Sequence, residues 1–442
     1  MKNIKLLILL AVLTCGIVNS QNLNKQKLDS LFNILAEKNK AMGSVALSKN
    51  GRVLYTKAIG YSLISDKEKK ASTPDTKFRI GSISKMFTAT MIFQMIEEGK
   101  ITLATTLDKY FPDLPNAKLI TIGHLLSHRS GIHNFTDDAD YNTWMTQPKT
   151  QSEMLAIISK NKVDFQPDEK AVYSNSNFVI LGYVIEKISG QTYSQNLQKR
   201  IISKIGLKNT YYGKKTNTAD NEAFSYSFTN TWKQLPETDM SIPGGAGAIV
   251  STPSDLTKFI ESLFALKLVS ANSLNQMKTI KDGYGMGMFQ IPFYSKKGYG
   301  HNGGIDGFGS NLAYFPEDSL SLAYCTNGML YPMNDILLGV LSIYFKKDYK
   351  IPTFNVVAVK AGELEKYTGI YSSKQLLLKI TVSVTEAGLS AQATGQSSFP
   401  LEADSKDKFK FDQAGIKMEF DPGKNEMTLK QGGGVFLFTK EK

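Results

Sequence analysis

Apolar positions recur at two spacings along the 442-residue chain, and each spacing predicts its own element. Leu28, Leu31, Phe32 and Leu35 put one apolar face on an N-terminal helix. From Ser44 to Gly60 the pattern changes to alternation, with Val45 and Leu47 on one arm, Val53 and Tyr55 on the other, and Asn50-Gly51 as the turn of a hairpin. Met86, Phe87, Thr90, Met91, Met95 and Ile96 return to helical spacing behind Gly81-Ser82, and Glu97 to Lys100 close that helix. Further helices are expected at Thr121–His128, at Ser152–Lys160 with Met154, Leu155, Ile157 and Ile158 inward, and at Phe178–Ser189.

Ser251-Thr252-Pro253-Ser254-Asp255 caps another helix, Ser310 to Tyr324 is rich in strand formers, and Asn334 to Phe345 forms a last apolar helix. Helices on both sides of the strands predict an α+β fold with an antiparallel sheet covered by helices. Beyond Leu364 only short alternating segments remain, with turns at Glu386-Ala387-Gly388, Asp421 to Asn425 and Gln431 to Gly434. They predict a separate all-β module of barrel or sandwich type, over residues 361–442.

The helix opened by Gly81 carries the first candidate chemistry. Ser82 and Lys85 lie three residues apart, so they share a helix face with Cβ atoms roughly 5–6 Å apart. A serine hydroxyl becomes a good nucleophile when a base takes its proton, and lysine serves as that base only when neutral. Burial and a helix N-terminus both disfavour the ammonium form. Ser159/Lys162 and Ser405/Lys408 repeat the spacing without the preceding glycine or the apolar helix, and read as solvent-facing pairs. Taken alone, Ser82 is equally well explained as a helix cap.

The chain opens with Lys2 and Lys5 before an apolar run from Leu6 to Val18, which predicts an export signal cut before Gln21. Lipoprotein processing at Cys15 competes with it, but Thr14 suits that poorly. Losing Lys2 and Lys5 lowers the net charge from +12 to +10. The remaining basic residues are scattered, which argues against nucleic acid as a partner and for mild attraction to anionic envelope polymers. No later segment is apolar enough to anchor the mature chain. Cys325 would then stand alone inside an apolar run, as a buried thiol without a disulfide partner.

His124, His128 and His133 fall close together, but they lack the carboxylate spacing of a metal site and are expected to bond nearby backbone. No metal or cofactor is expected. Pro243-Gly244-Gly245-Ala246-Gly247 lacks phosphate-loop spacing and predicts a tight loop that lets backbones approach closely.

Tyr173-Ser174-Asn175 stands at a second junction of loop and helix, and His301-Asn302-Gly303-Gly304 precedes the strand-rich stretch. With Ser82/Lys85, these resemble in order and spacing the three motifs of active-site serine enzymes: class C β-lactamases, DD-peptidases, and related D-aminopeptidases and esterases. The resemblance extends from about Lys25 to Phe345 and includes Leu125 to Ile132, Phe165-Gln166-Pro167 and Asp306-Gly307-Phe308. Tyr367-Thr368-Gly369-Ile370-Tyr371 resembles the start of the lipocalin-like barrel often appended to these hydrolases. The resemblance implies a β-lactamase/transpeptidase-like domain with a helical subdomain over residues 21–350, after a signal at 1–20.

By the same resemblance, Ser82 would carry the acyl group, and Lys85 and Tyr173 would exchange its proton. Asn175 would orient Lys85, and His301 would replace the usual lysine. The N–H groups of Ser82 and Gly304 would form an oxyanion hole, with close approach excluding a side chain at 304. Gly303 completes the third motif. Two departures stand out: Asp168 replaces a glycine, and Asn302 replaces the threonine whose hydroxyl binds a substrate carboxylate. The implied activity is an exported serine hydrolase acting on D-amino-acid peptides of the cell wall, with small peptides, esters or peptidoglycan fragments as substrates. A carboxylesterase and a catalytically silent wall-peptide-binding protein are the alternatives. His301 is expected to be partly charged near neutrality and to attract a substrate carboxylate.

Overall fold

The computed structural model describes residues 23–354 and 361–441, apart from 377, 386, 387, 397, 412, 413 and 432. The proposed leader with Cys15, and part of two barrel turns, lie outside those residues. Among the described residues, no helix is long and apolar enough to cross a membrane.

The Asn50-Gly51 turn forms as its sequence demands, with both residues at positive φ (52° and 77°), and joins strands Ala41–Lys49 and Arg52–Ile59. The hairpin ends a six-stranded antiparallel sheet. From the other edge the order is Phe289–Phe293, Lys296–Ile305, Phe308–Phe315, Leu320–Met329, Ala41–Lys49, Arg52–Ile59. Ala41–Lys49 is therefore a central strand, buried on both faces up to its last residue. In Leu320–Met329 the alternation assigns faces: Leu322 and Tyr324 join the core beneath helices Lys25–Glu37 and Met333–Tyr344. Ala323 and Cys325 join the opposite core, where helix Pro253–Phe264 packs with the helical region.

Helix Ser84–Glu97 lies at the centre of that second core. The expected one-sided apolar stripe is exceeded: every residue from Ser84 to Met95 is buried. Most of its buried polar groups find a partner, as Thr88 Oγ1 does with the Gly245 carbonyl at 2.6 Å. Gln151–Lys160 departs from expectation in the same spirit. Met154 and Ile158 are buried, while Leu155 and Ile157 are only half-buried. Gly244–Gly247 forms one turn of helix instead of a loop. Gly245 shows why small residues are needed, since a Cβ there would sit 2.6 Å from the Phe178 carbonyl and 3.1 Å from Gly182 Cα.

The C-terminal strands, from Gly369–Ser372 through Gly434–Lys440, close into an eight-stranded antiparallel barrel. Tyr367, Phe409, Met418, Phe420, Met427 and Phe438 fill its interior. The all-β expectation is met as a barrel rather than a sandwich.

Candidate active site

Ser82 lies in a single 3-10 turn, Gly81–Ile83, that feeds directly into helix Ser84–Glu97. Gly81 takes φ +49°, and a Cβ on it would meet the backbone N of Gly304 at 2.9 Å. Strand Lys296–Ile305 therefore runs against the serine turn. At Gly303 a Cβ would lie 3.0 Å from Ser82 N and inside contact of the Ile80 carbonyl. At Gly304 the nearest atom would be Phe308 O at 3.9 Å. The residues that close approach keeps small are thus Gly81 and Gly303, which corrects the expectation placed on position 304.

Lys85 is fully buried. Its Nζ lies 2.9 Å from Ser82 Oγ, 2.8 Å from Asn175 Oδ1 and 2.9 Å from the Ala246 carbonyl oxygen. No carboxylate is among these partners, so burial alone holds the amine well below its ordinary pKa. Leaving an ammonium there would cost several kcal/mol of desolvation without a counter-charge, and the neutral amine avoids that cost. A neutral amine has two N–H donors and one lone pair. The two carbonyl acceptors, Asn175 Oδ1 and Ala246 O, use the donors. In that neutral form the lone pair would face the Ser82 hydroxyl, 2.9 Å away, and accept its proton.

Tyr173 precedes helix Asn175–Ser189 by two residues and donates its O–H to Ser82 Oγ at 2.7 Å. Burial raises its pKa, so it stands as a neutral phenol. Ser82 Oγ thus accepts from one side and donates to the other. Asn175 is held in turn, its N–H donating to Asn134 Oδ1 at 2.9 Å and its Nδ2 to Thr136 Oγ1 at 3.1 Å.

His301 is buried with its ring 6.3 Å from that of Tyr173 and 4.5 Å from that of Phe289. Burial lowers its pKa to about 3. Its Nδ1–H donates to the Asn302 carbonyl. It is a neutral imidazole at working pH, which overturns the expectation of a partial cation attracting a carboxylate. Asn302 is exposed and does not line the cleft. Asp168, where a glycine was expected, takes φ +67°, so the backbone keeps the glycine-like conformation. Its carboxylate pairs with Arg129.

A cleft of about 380 Å³ opens over Ser82, walled by Phe135, Tyr141, Met145, Leu235, Pro243 and Ile305. Asp306 is the only charged side chain among the described residues lining it. Its side chain is buried, accepts from Thr238 N at 3.0 Å, and lies 3.2 Å from Nη1 of Arg79, whose Nη2 meets Glu237 at 2.6 Å. The three clustered histidines take separate roles. His124 Nδ1 accepts from the Thr121 N–H in a capping box, and His128 Nδ1 accepts from the Ser174 N–H. His133 departs from the backbone expectation and faces the carboxylates of Asp164 and Asp138 at 2.9 and 3.3 Å. The Ala246 carbonyl was missed, because a backbone acceptor leaves no residue-type signal beyond the small residues around it.

A hydroxyl placed between a neutral amine and a neutral phenol, beside a glycine-lined strand, defines the site of a serine hydrolase. The Beta-lactamase family model matches residues 31–339, and the chain belongs to that family. Teichoic acid D-alanine hydrolase from Staphylococcus aureus (strain MRSA252) is 29% identical over 324 residues, covering 70% of this chain and 75% of its own. D-amino acid amidase from Ochrobactrum anthropi SV3, solved with D-phenylalanine, aligns at TM-score 0.64 and 25% identity over 73% of this chain and 99% of its own. The octameric penicillin-binding protein homologue from Pyrococcus abyssi aligns at TM-score 0.67 and 25% identity, over 94% of this chain and all of its own.

Proposed function

We propose that the protein hydrolyses D-aminoacyl amides or esters through an acyl-enzyme on Ser82. The observation that carries this is the buried Lys85 Nζ, which lies within 2.9 Å of Ser82 Oγ, Asn175 Oδ1 and the Ala246 carbonyl with no carboxylate among those partners, a setting that favours the neutral amine. Lys85 takes the Ser82 proton as Oγ attacks the substrate carbonyl. The N–H groups of Ser82 and Gly304 receive the developing oxyanion. Tyr173 gives its proton to the leaving nitrogen or oxygen, and the Lys85 ammonium makes good that loss. Water then takes the acyl group from Ser82 by the reverse sequence. Asn175 keeps Lys85 aimed.

The substrate class draws on the D-amino-acid chemistry in the names of the relatives and on charge in the cleft. A neutral His301 and an exposed Asn302 provide no cation for a terminal carboxylate, which favours an aminoacyl ester or amide over a C-terminal peptide. Export and a cell-wall target, such as D-alanyl groups on an envelope polymer, agree with the leader-like residues 1–20 and the S. aureus relative.

The test is a panel of D- and L-alanine p-nitroanilide, p-nitrophenyl acetate and a peptide ending in D-Ala-D-Ala. The expected order is the D-anilide at least about tenfold above its L-enantiomer in kcat/KM, and above the peptide. Turnover of the acetate alone would instead make the protein a carboxylesterase.

A further inference from the structure

Tyr173 sits on a loop whose conformation is dictated by the segment that runs beside it. Asp164 N–H donates to the Gly131 carbonyl at 2.8 Å, and Asp168 N–H to the Arg129 carbonyl at 2.8 Å. Closer to the tyrosine, both contacts come from one residue. The Val172 N–H donates to the His128 carbonyl at 2.9 Å, and the Ser174 N–H to His128 Nδ1 at 3.2 Å. His128 therefore holds the chain immediately before and immediately after Tyr173. Its ring also lies 4.5 Å from that of Tyr173, between it and the rings of Phe178 at 5.2 Å and Tyr284 at 5.3 Å.

The backbone is bent to achieve this. His128 takes φ +58°, a left-handed conformation that, glycine apart, asparagine, aspartate and histidine adopt more readily than other residues. It is almost fully buried, and Asn177 Nδ2 approaches the same Nδ1 at 3.4 Å. The Asn177 carbonyl is fixed by Ser130 Oγ–H at 2.5 Å. Because Nδ1 accepts, the ring proton is on Nε2 and the imidazole is neutral.

We propose that His128 is a positioning residue for Tyr173, clamping the peptide on both sides of it and bracing its ring so that the phenol stays on Ser82 Oγ. This rests on the assignment of Tyr173 as proton donor to the leaving group. It predicts that the Nδ1 acceptor matters more than the bulk of the ring. Asparagine tolerates positive φ and places its Oδ1 where histidine has Nδ1, so it retains the acceptor and loses the far half of the ring. Phenylalanine retains a ring and loses the acceptor.

The experiment is a double-mutant cycle with D-alanine p-nitroanilide, or D-alanine methyl ester if the anilide is not turned over, in the full chain. Melting temperature is measured alongside as the control for folding. His128→Phe is expected to lower kcat about 30-fold with KM within about threefold, the scale of a misplaced catalytic group. His128→Asn should lose no more than about fivefold, and His128→Ala makes the same comparison if phenylalanine does not fold. In a Tyr173→Phe background, the same His128 substitution should change kcat by less than about threefold, because the group it positions is gone.

An equal factor in both backgrounds would overturn the proposal and leave His128 a general structural residue. So would an asparagine variant as slow as the phenylalanine one. A Tyr173→Phe variant with full activity would remove the assignment of Tyr173 itself, and the clamp with it.

Discussion

Lys85 is where sequence and chemistry meet most tightly, and its charge state carries a thermodynamic signature. In the unfolded chain its amine titrates at its ordinary value, about 10.4. In the folded protein burial holds it well below that. Between those two values the unfolded state binds one more proton, so this group makes stability rise with pH. The benefit of the neutral form is complete above the unfolded pKa and is lost as pH falls toward the folded one. Lys85→Met should therefore abolish turnover and reduce the slope of unfolding free energy against pH by about 1.4 kcal/mol per unit within that window. Denaturant titrations at several pH values check it, and an unchanged slope would mean that Lys85 is charged in the fold.

The two adjacent glycines offer a sharper pair. Gly303→Ala should lower kcat about 100-fold or more, as displacement of an oxyanion donor does, while Gly304→Ala should stay within about threefold. Kinetics on the two purified variants separates them.

At the scale of elements, spacing predicted the types well and the environments less well. The hairpin, the helices after Ser82 and Tyr173, and the capped helix at Thr252 were legible because turn residues and caps act locally. The all-round burial of helix Ser84–Glu97 was not, since threonine and glutamine look exposed until their partners, distant in sequence, are known. The site divides the same way. Serine, lysine, tyrosine and asparagine announce themselves by type and spacing. The Ala246 carbonyl and the charge state of His301 depend on packing.

Thr88 joins these levels, bonding the Gly245 carbonyl and the Tyr193 hydroxyl at 2.6 Å each. Thr88→Val should cost about 1–3 kcal/mol by leaving those buried groups unmatched, measured by chemical unfolding. Because Gly245 precedes Ala246, turnover should fall in the same variant.

For the whole molecule, the sheet and its two covering cores are complete before the barrel begins. Phe354 still packs into the core beneath the terminal helices. The barrel has its own interior, and between the two regions Lys40 Nζ reaches Glu402 at 3.2 Å. Glu402 is half exposed, so that ion pair contributes little, and Lys410 of the barrel also lies over the Phe354 ring, 4.9 Å from its centroid. A chain ending after Phe354 should then fold and retain labelling of Ser82, read by gel fluorescence with a fluorophosphonate. Loss of folded protein on that truncation would show that the barrel completes the core.

In the proposed mechanism Ser82 alone forms the acyl-enzyme and Lys85 activates it. Peptide mapping by mass spectrometry after fluorophosphonate treatment tests this directly. One adduct, on the peptide containing Ser82, is expected in the wild type and none in Ser82→Ala or Lys85→Ala. An adduct on another serine, or labelling that persists in Lys85→Ala at the wild-type rate, would contradict it.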